Sequence, residues 1–347
     1  MRAIAYTQNL PADDPQALLE LDLAEPVATG YDLLVEVKAV SVNPTDCKRR
    51  ASAPLPKGAG PQGEDPQVGE YCVLGFDAAG VVVAVGEQCT LFKPGDEVFY
   101  AGDASRSGSY AQRQLVDERI VGPKPKSLDF ARAAALPLTA ITAWEGLFHR
   151  IDINRPVPGA AAAVLIIGGA GGVGSIAVQL ARQLTDLSVL ATASRPQTRE
   201  WLSQLGAHHV IDHSAPMAPQ IKALDMGQPG LVFSTNQSTH HLPDIARLIA
   251  PQGRFGLIDD LKTDIMSLKR KSVSVHWEAM FARSLFGTAD MIEQHKLLKE
   301  LSALVDAGTI KTTLSDDYGP ITAANVLRAH AQIEGGHTKG KIVLSGW

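Results

Sequence analysis

Gly169, Gly171 and Gly174, within Gly168-Gly169-Ala170-Gly171-Gly172-Val173-Gly174, fall on the spacing G-x-G-x-x-G. That spacing suits recognition of a pyrophosphate by backbone. One glycine makes a tight turn, one lets the main chain approach the phosphates, and one lets a helix pack closely on a strand. The flanks supply the elements required. Ala162–Ile167 reads as a buried strand and Ser175–Arg182 as an amphipathic helix, whose N-terminus offers free N–H groups and a positive dipole end. Candidate cofactor contacts are therefore Gly169, Ala170, Gly171, Gly172, Val173 and Gly174. The 26 residues from Pro156 to Ala181 carry no formal charge, but six are glycines. A glycine-broken run of this kind argues against a membrane span.

The nucleotide is read at the end of the second strand, where a carboxylate about 20 residues beyond the glycines would bond a ribose 2′-OH. That strand ends Ala193-Ser194-Arg195, and no Asp or Glu occurs between Asp186 and Glu200. A hydroxyl beside a guanidinium suits a 2′-phosphate, with Arg199 one turn later, so NADPH is the expected cofactor. The alternative is a solvated helix start carrying two arginines. His213, after the third strand, is expected to stack on adenine or to be a loop histidine without a role.

At 347 residues the chain suits two domains. With 45% apolar and 20% charged residues it is globular, and its net charge of −5 gives no reason to expect nucleic acid as a partner. Met1–Tyr6 reads as a first strand, not a signal peptide. Cys47, Cys72 and Cys89 form neither a disulfide framework nor a CxxC pair and fit a reducing cytoplasm. The first third is β-rich: Leu33–Val40 alternates as a half-buried strand, Ala78–Gly86 is a longer buried one, and Glu97–Tyr100 follows a turn. Ala51 to Val68 is expected to be a surface loop. From about Ser127 strands alternate with helices, implying a parallel sheet. The strands are 188–193, 209–212, 231–234 and 254–258, with a sixth at 272–277. Ala289–Ala307 reads as a helix, and Gly340–Leu344 returns to strand.

Ordered motifs along nearly the whole chain resemble the medium-chain dehydrogenase/reductase family. They run through Val42–Lys48, Gly75–Val82, Phe92–Val98, Gly108–Gln112, Leu136–Trp144, the glycine turn and Gly340–Leu344. Within the family the chain is similar to the quinone oxidoreductase, zeta-crystallin-like branch and to a group labelled zinc-type alcohol dehydrogenase-like. The resemblance implies an α/β fold: a GroES-like β-rich catalytic domain (1–128 and 286–347) and a Rossmann doubly wound parallel-sheet domain (129–285). It also implies a homodimer paired through the sixth strand.

Catalytic zinc takes about three protein ligands. In zinc alcohol dehydrogenases a cysteine stands where this chain has Asn43, and Gly-His-Glu where it has Gly75-Phe76-Asp77. The later cysteine falls near Pro137 or Leu138, and the four-cysteine lobe expected near residues 85 to 110 is missing. Cys47 and Cys89 are not at ligand positions, and the pairs His208-His209 and His240-His241 read as surface or cap residues. No metal is expected. Without zinc, an electron-poor acceptor is implied: a quinone or an α,β-unsaturated carbonyl, with hydrogen-bond donors for the developing oxyanion. The candidates are Lys48, alternatively solvated, and Tyr100, alternatively packing. Asn43 is expected to orient the loop or the cofactor. Thr139 and Thr142 are expected at the nicotinamide ribose or phosphate, with helix capping as the alternative. Phe76, Trp144, Trp277 and Phe281 are expected to form an apolar substrate wall or, alternatively, core. The rival functions are a zinc-dependent alcohol dehydrogenase and a low-turnover NADPH-binding sensor or crystallin-like protein.

Overall fold

The computed structural model describes residues 1–52 and 70–347. The chain divides into two compact units, Met1–Leu138 with Phe281–Trp347, and Thr139–Met280. The first unit opens with β1 (Arg2–Tyr6), β2 (Leu19–Asp22), β3 (Asp32–Val42), α1 (Pro44–Ser52) and β4 (Cys72–Val73). It continues with β5 (Asp77–Val85), β6 (Glu97–Tyr100), β7 (Arg113–Asp117), β8 (Val121–Pro123) and α2 (Phe130–Ala134). The chain then enters the second unit along α3 (Pro137–Trp144), extended by a π-helical turn, Glu145–Arg150. Of the loop expected over Ala51–Val68, Ala51 and Ser52 end α1, and 53–68 lies outside the described residues.

The second unit alternates β9 (Ala161–Ile167), α4 (Gly172–Leu184), β10 (Ser188–Thr192), α5 (Pro196–Gln204), β11 (His209–Ile211) and α6 (Met217–Lys222). It then runs through β12 (Pro229–Ser234), α7 (Ser238–Leu248), β13 (Arg254–Leu257), α8 (Met266–Lys269) and β14 (Ser274–Trp277). The six strands are parallel in the order β11-β10-β9-β12-β13-β14. Successive strands leave β9 in opposite directions, which opens a ligand crevice at its C-terminal end. Leu165, Ile167, Val232, Phe255 and Leu257 fill one face of the sheet with α6 and α7 residues such as Ile221 and Leu242. Among the described residues no helix is long and apolar enough to cross a membrane.

The first unit resumes with α9 (Ala282–Leu285), α10 (Glu293–Asp306), β15 (Leu314–Asp317), α11 (Ala323–Glu334) and β16 (Lys341–Ser345). Its larger sheet runs β15-β16-β3-β5-β6-β8, with β7 also paired to β3. Leu33–Val40 was expected to be half-buried. The strand spans Asp32–Val42 and is almost wholly buried, because β5, β7 and β16 all pair with it. The expected boundaries at 128/129 and 285/286 move to 138/139 and 280/281. The reason is packing: α2 lies against β3 and β5, Thr313 donates to the Ala135 carbonyl (3.1 Å), and Phe281 stacks on Phe76.

Candidate functional site

In the second unit, β9 delivers the chain into Gly168, whose φ of +75° favours glycine. Its N–H donates to Thr192 Oγ1 (3.0 Å), fastening the turn to β10. Thr235 Oγ1 donates to the Ile167 carbonyl (2.9 Å), fastening it to β12. Gly174 lets α4 lie on the turn: a Cβ there would stand 2.2 Å from the Gly168 oxygen. Gly171 is the N-cap of α4, so the cap position itself offers no side chain to compete for the first-turn N–H groups. That arrangement fits a dinucleotide pyrophosphate.

Ser194 and Arg195 follow β10 and are half-buried, with Arg195 leading into α5. Arg199 behaves differently from the expectation. Its guanidinium donates to the Ala193 (3.3 Å) and Val210 (3.1 Å) carbonyls. It braces the ends of β10 and β11. His213 is half-buried against His241, ring centroids 6.0 Å apart, and His241 meets His240 at 4.9 Å. Burial first, and then neighbouring positive charge, pushes His241 down to about 4; burial also lowers His213, so both rings are neutral at pH 7. Of the surface or cap role expected for His240 and His241, the surface alternative fails for His241, which lies in α7 and is 6% exposed. No local pattern announces this grouping, because the loop after β11 and helix α7 meet only in the folded sheet.

In the first unit, Asp77 anchors a buried polar network. One carboxylate oxygen accepts from Ser41 Oγ (2.7 Å), Asn43 Nδ2 (2.9 Å) and Lys341 Nζ (3.2 Å). The other accepts the Leu138 N–H (2.7 Å). Lys341 also donates to the Val42 carbonyl (3.0 Å) and to Asn43 Oδ1. Asn43 therefore orients its loop, with its amide spent at both ends. Lys341 was not singled out from the sequence, since its partner lies 264 residues away.

Asp46 accepts the Asn43 N–H (2.7 Å), and burial pushes its carboxyl up to about 7. The folded protein thus holds a proton that the unfolded chain releases near pH 4, and stability falls as pH rises from there through 7. Raising the pH from 5 to 7 is expected to cost about 2 kcal/mol through this group. Asp46→Asn should flatten that slope in urea unfolding at the two pH values, whereas an unchanged slope would count against it.

Tyr100 cannot serve as the expected donor. It is wholly buried in β6, its hydroxyl has no hydrogen-bond partner among the described residues, and burial drives its ionisation far up. Lys48 is exposed on α1. The four expected wall aromatics divide between the units. Phe76 and Phe281 pack at 4.7 Å in the first, with the Arg49 guanidinium 5.7 Å from the Phe76 centroid. Phe76 is consequently only 3% exposed. In the second unit Trp144 packs on Phe148 at 5.2 Å, and Trp277 on edge strand β14 is 54% exposed. Thr139 and Thr142 are buried on α3.

The donor set does not fit catalytic zinc. Asn43 is tied to Lys341 and Asp77, Phe76 offers a hydrocarbon ring, and Leu138 contributes only an N–H already given to Asp77. Among the described residues no group of three or more His, Cys, Asp or Glu side chains is arranged to hold a metal.

Comparison with known proteins identifies the family to which these residues are similar. Residues 29–126 match the alcohol dehydrogenase GroES-like domain, and residues 205–344 match the zinc-binding dehydrogenase family. A zinc-type alcohol dehydrogenase-like protein of Staphylococcus aureus is 36% identical over 99% of this chain and 100% of its own. The chloroplastic NADPH-dependent alkenal/one oxidoreductase of Arabidopsis thaliana is 29% identical over 94% of this chain and 75% of its own. A solved Rhizobium etli structure, provisionally described as a zinc-dependent alcohol dehydrogenase, superposes with a TM-score of 0.95 at 57% identity, covering 100% of this chain and 98% of that one.

Proposed function

Because the chain belongs to the medium-chain dehydrogenase/reductase superfamily, in its zinc-type alcohol dehydrogenase-like group, we propose that it is a zinc-independent, NADPH-dependent reductase of quinones or α,β-unsaturated carbonyls. The observation that carries the reading is the uncapped glycine turn beside Ser194 and Arg195, with no carboxylate at the second strand's end. The backbone of Gly171–Gly174 holds pyrophosphate, Arg195 pairs with the 2′-phosphate, and His213 stacks on adenine. Thr139 and Thr142 bond the nicotinamide ribose or phosphate. When bound, the nicotinamide supplies a hydride. The protein's share is to orient that ring, exclude water and hold an electron-poor acceptor against apolar side chains. Lys48 remains the candidate donor to the developing oxyanion. The name of the Arabidopsis relative joins the same cofactor to alkenals.

NADPH oxidation with 1,4-benzoquinone and with a small enone, unaffected by chelator, is the expected result. Activity lost to a chelator and restored by zinc would establish the metal-dependent alternative suggested by the names of the relatives. Tight NADPH binding without turnover across an acceptor panel would establish a sensor. Arg195→Ala should raise the NADPH Michaelis constant about tenfold or more and leave the NADH constant nearly unchanged; equal effects would sink the 2′-phosphate assignment. The exposed Trp277 on edge strand β14 supports a homodimer paired through that strand, which sedimentation of wild type and Trp277→Glu would decide.

A further inference from the structure

Two carboxylates are buried together in the second unit, outside the residues assigned above. Glu145 opens the π-helical turn and is 0% exposed, and Glu278, just beyond β14, is 3% exposed. Glu278 extends the sheet by donating its N–H to the Leu257 carbonyl (2.9 Å), which sets it at the C-terminal edge. The π-helical turn packs against β13 and β14, and a Cβ at Gly146 would strike the Phe233 ring at 2.5 Å. Such turns are rare and frequent at functional sites.

Arg150 serves both acids. Its Nε donates to Glu278 Oε2 (2.8 Å), and its Nη2 stands 3.8 Å from Glu145 Oε2. Glu278 Oε1 is buried and receives no hydrogen bond from any donor among the described residues. The Glu145 carboxylate lies close enough to bond to Glu278 once one of them carries a proton. One cation cannot balance two desolvated anions side by side, so one proton stays with the pair.

We propose that Glu145 and Glu278 share one proton above the Arg150 guanidinium and that this clamp fixes α3, making both acids positioning residues for the cofactor end held by Thr139 and Thr142. Thr142 precedes Glu145 by three residues, so the two share a helix face. The inference rests on the proposed cofactor site. Burial first, then the Glu145 charge, raises Glu278 well above the ordinary carboxylate range. When base removes that proton to solvent, the pair carries two negative charges against one positive. The other charged or titratable groups nearby are His276 on β14, Arg254 on β13, and Arg155 and exposed His149 beyond and on the π-helical turn. Burial and three surrounding arginines hold His276 down, so it stays neutral through this range.

The test is NADPH fluorescence titration at pH 7 and pH 9.5, with thermal unfolding of the nucleotide-free protein at both. The wild-type dissociation constant should rise about fivefold or more with pH. Glu278→Gln, whose neutral amide stands in for the protonated acid, should bind with nearly equal affinity at both. Its Tm should also fall less than the wild-type Tm between the two pH values. Equal pH dependence in wild type and variant overturns the clamp. If wild type binds no NADPH at either pH, the cofactor reading fails, and the clamp is judged on the two Tm shifts alone: a smaller shift in Glu278→Gln supports it, and an equal one overturns it.

Discussion

Gly174→Ala is expected to lose nucleotide binding and about 3 kcal/mol of stability together, the upper end of what overpacking costs. The new methyl would sit 2.2 Å from the Gly168 oxygen and 2.6 Å from the Gly169 Cα. Both are backbone, so no rotamer change relieves the clash. The helix must lift from the turn, taking its bare N–H groups with it. Gly171→Ala separates the two effects. Its Cβ would meet only the Gly168 oxygen, at 3.5 Å, so the fold should survive within about 1 kcal/mol. The methyl would still stand where backbone is expected to approach phosphate, and NADPH affinity should drop. Urea unfolding and fluorescence titration of both variants decide the matter. Wild-type stability and binding in Gly174→Ala would refute the close packing on which the site depends.

Lys341→Met should destabilise the first unit by about 3–5 kcal/mol, the range for breaking a buried ion pair. Asp77 is 0% exposed and Lys341 is 3% exposed. Without the ammonium, a buried carboxylate faces two neutral donors and one N–H. The loss should shrink when Asp77→Asn is combined with Lys341→Met, because the pair is then replaced by neutral groups. A double mutant no more stable than Lys341→Met would mean that the ammonium stabilises the fold by some route other than Asp77. The expected failure is in urea midpoint, since Asn43 and the Asp46 loop depend on this network for their orientation.

The parts of this protein that rest on short-range patterns were legible in its sequence. The glycine turn, the strand–helix alternation and the β14 strand all depend on neighbours within about one supersecondary unit. What escaped was set by distant pairing. Lys341 reads only as part of a final strand until β16 pairs with β3 and carries it to Asp77. Tyr100 looks like a donor at a strand end, yet β5 and β8 flank it on both sides and close it off. Arg199 has the right type and place for a phosphate, but two strand-end carbonyls capture it. His241 was read as a surface or cap residue because the loop after β11 lies far from α7 in sequence. Asn43 and Phe76 read as unlike zinc ligands by type alone, though the network that uses Asn43 was not visible.

The pairing of β16 with β3 also dictates an order of events at the ribosome. Strand β3 emerges early, but its partner across that edge follows only after the whole second unit has been made. Until then the nascent first unit carries an open sheet edge and an Asp77 without its ammonium. The second unit, continuous in sequence, can condense while its neighbour waits. Closing so long a loop adds little entropy beyond closing a shorter one, so the delay is one of synthesis and search. A stalled chain ending before Lys341 should therefore be protease-sensitive in its first unit while its second is already protected.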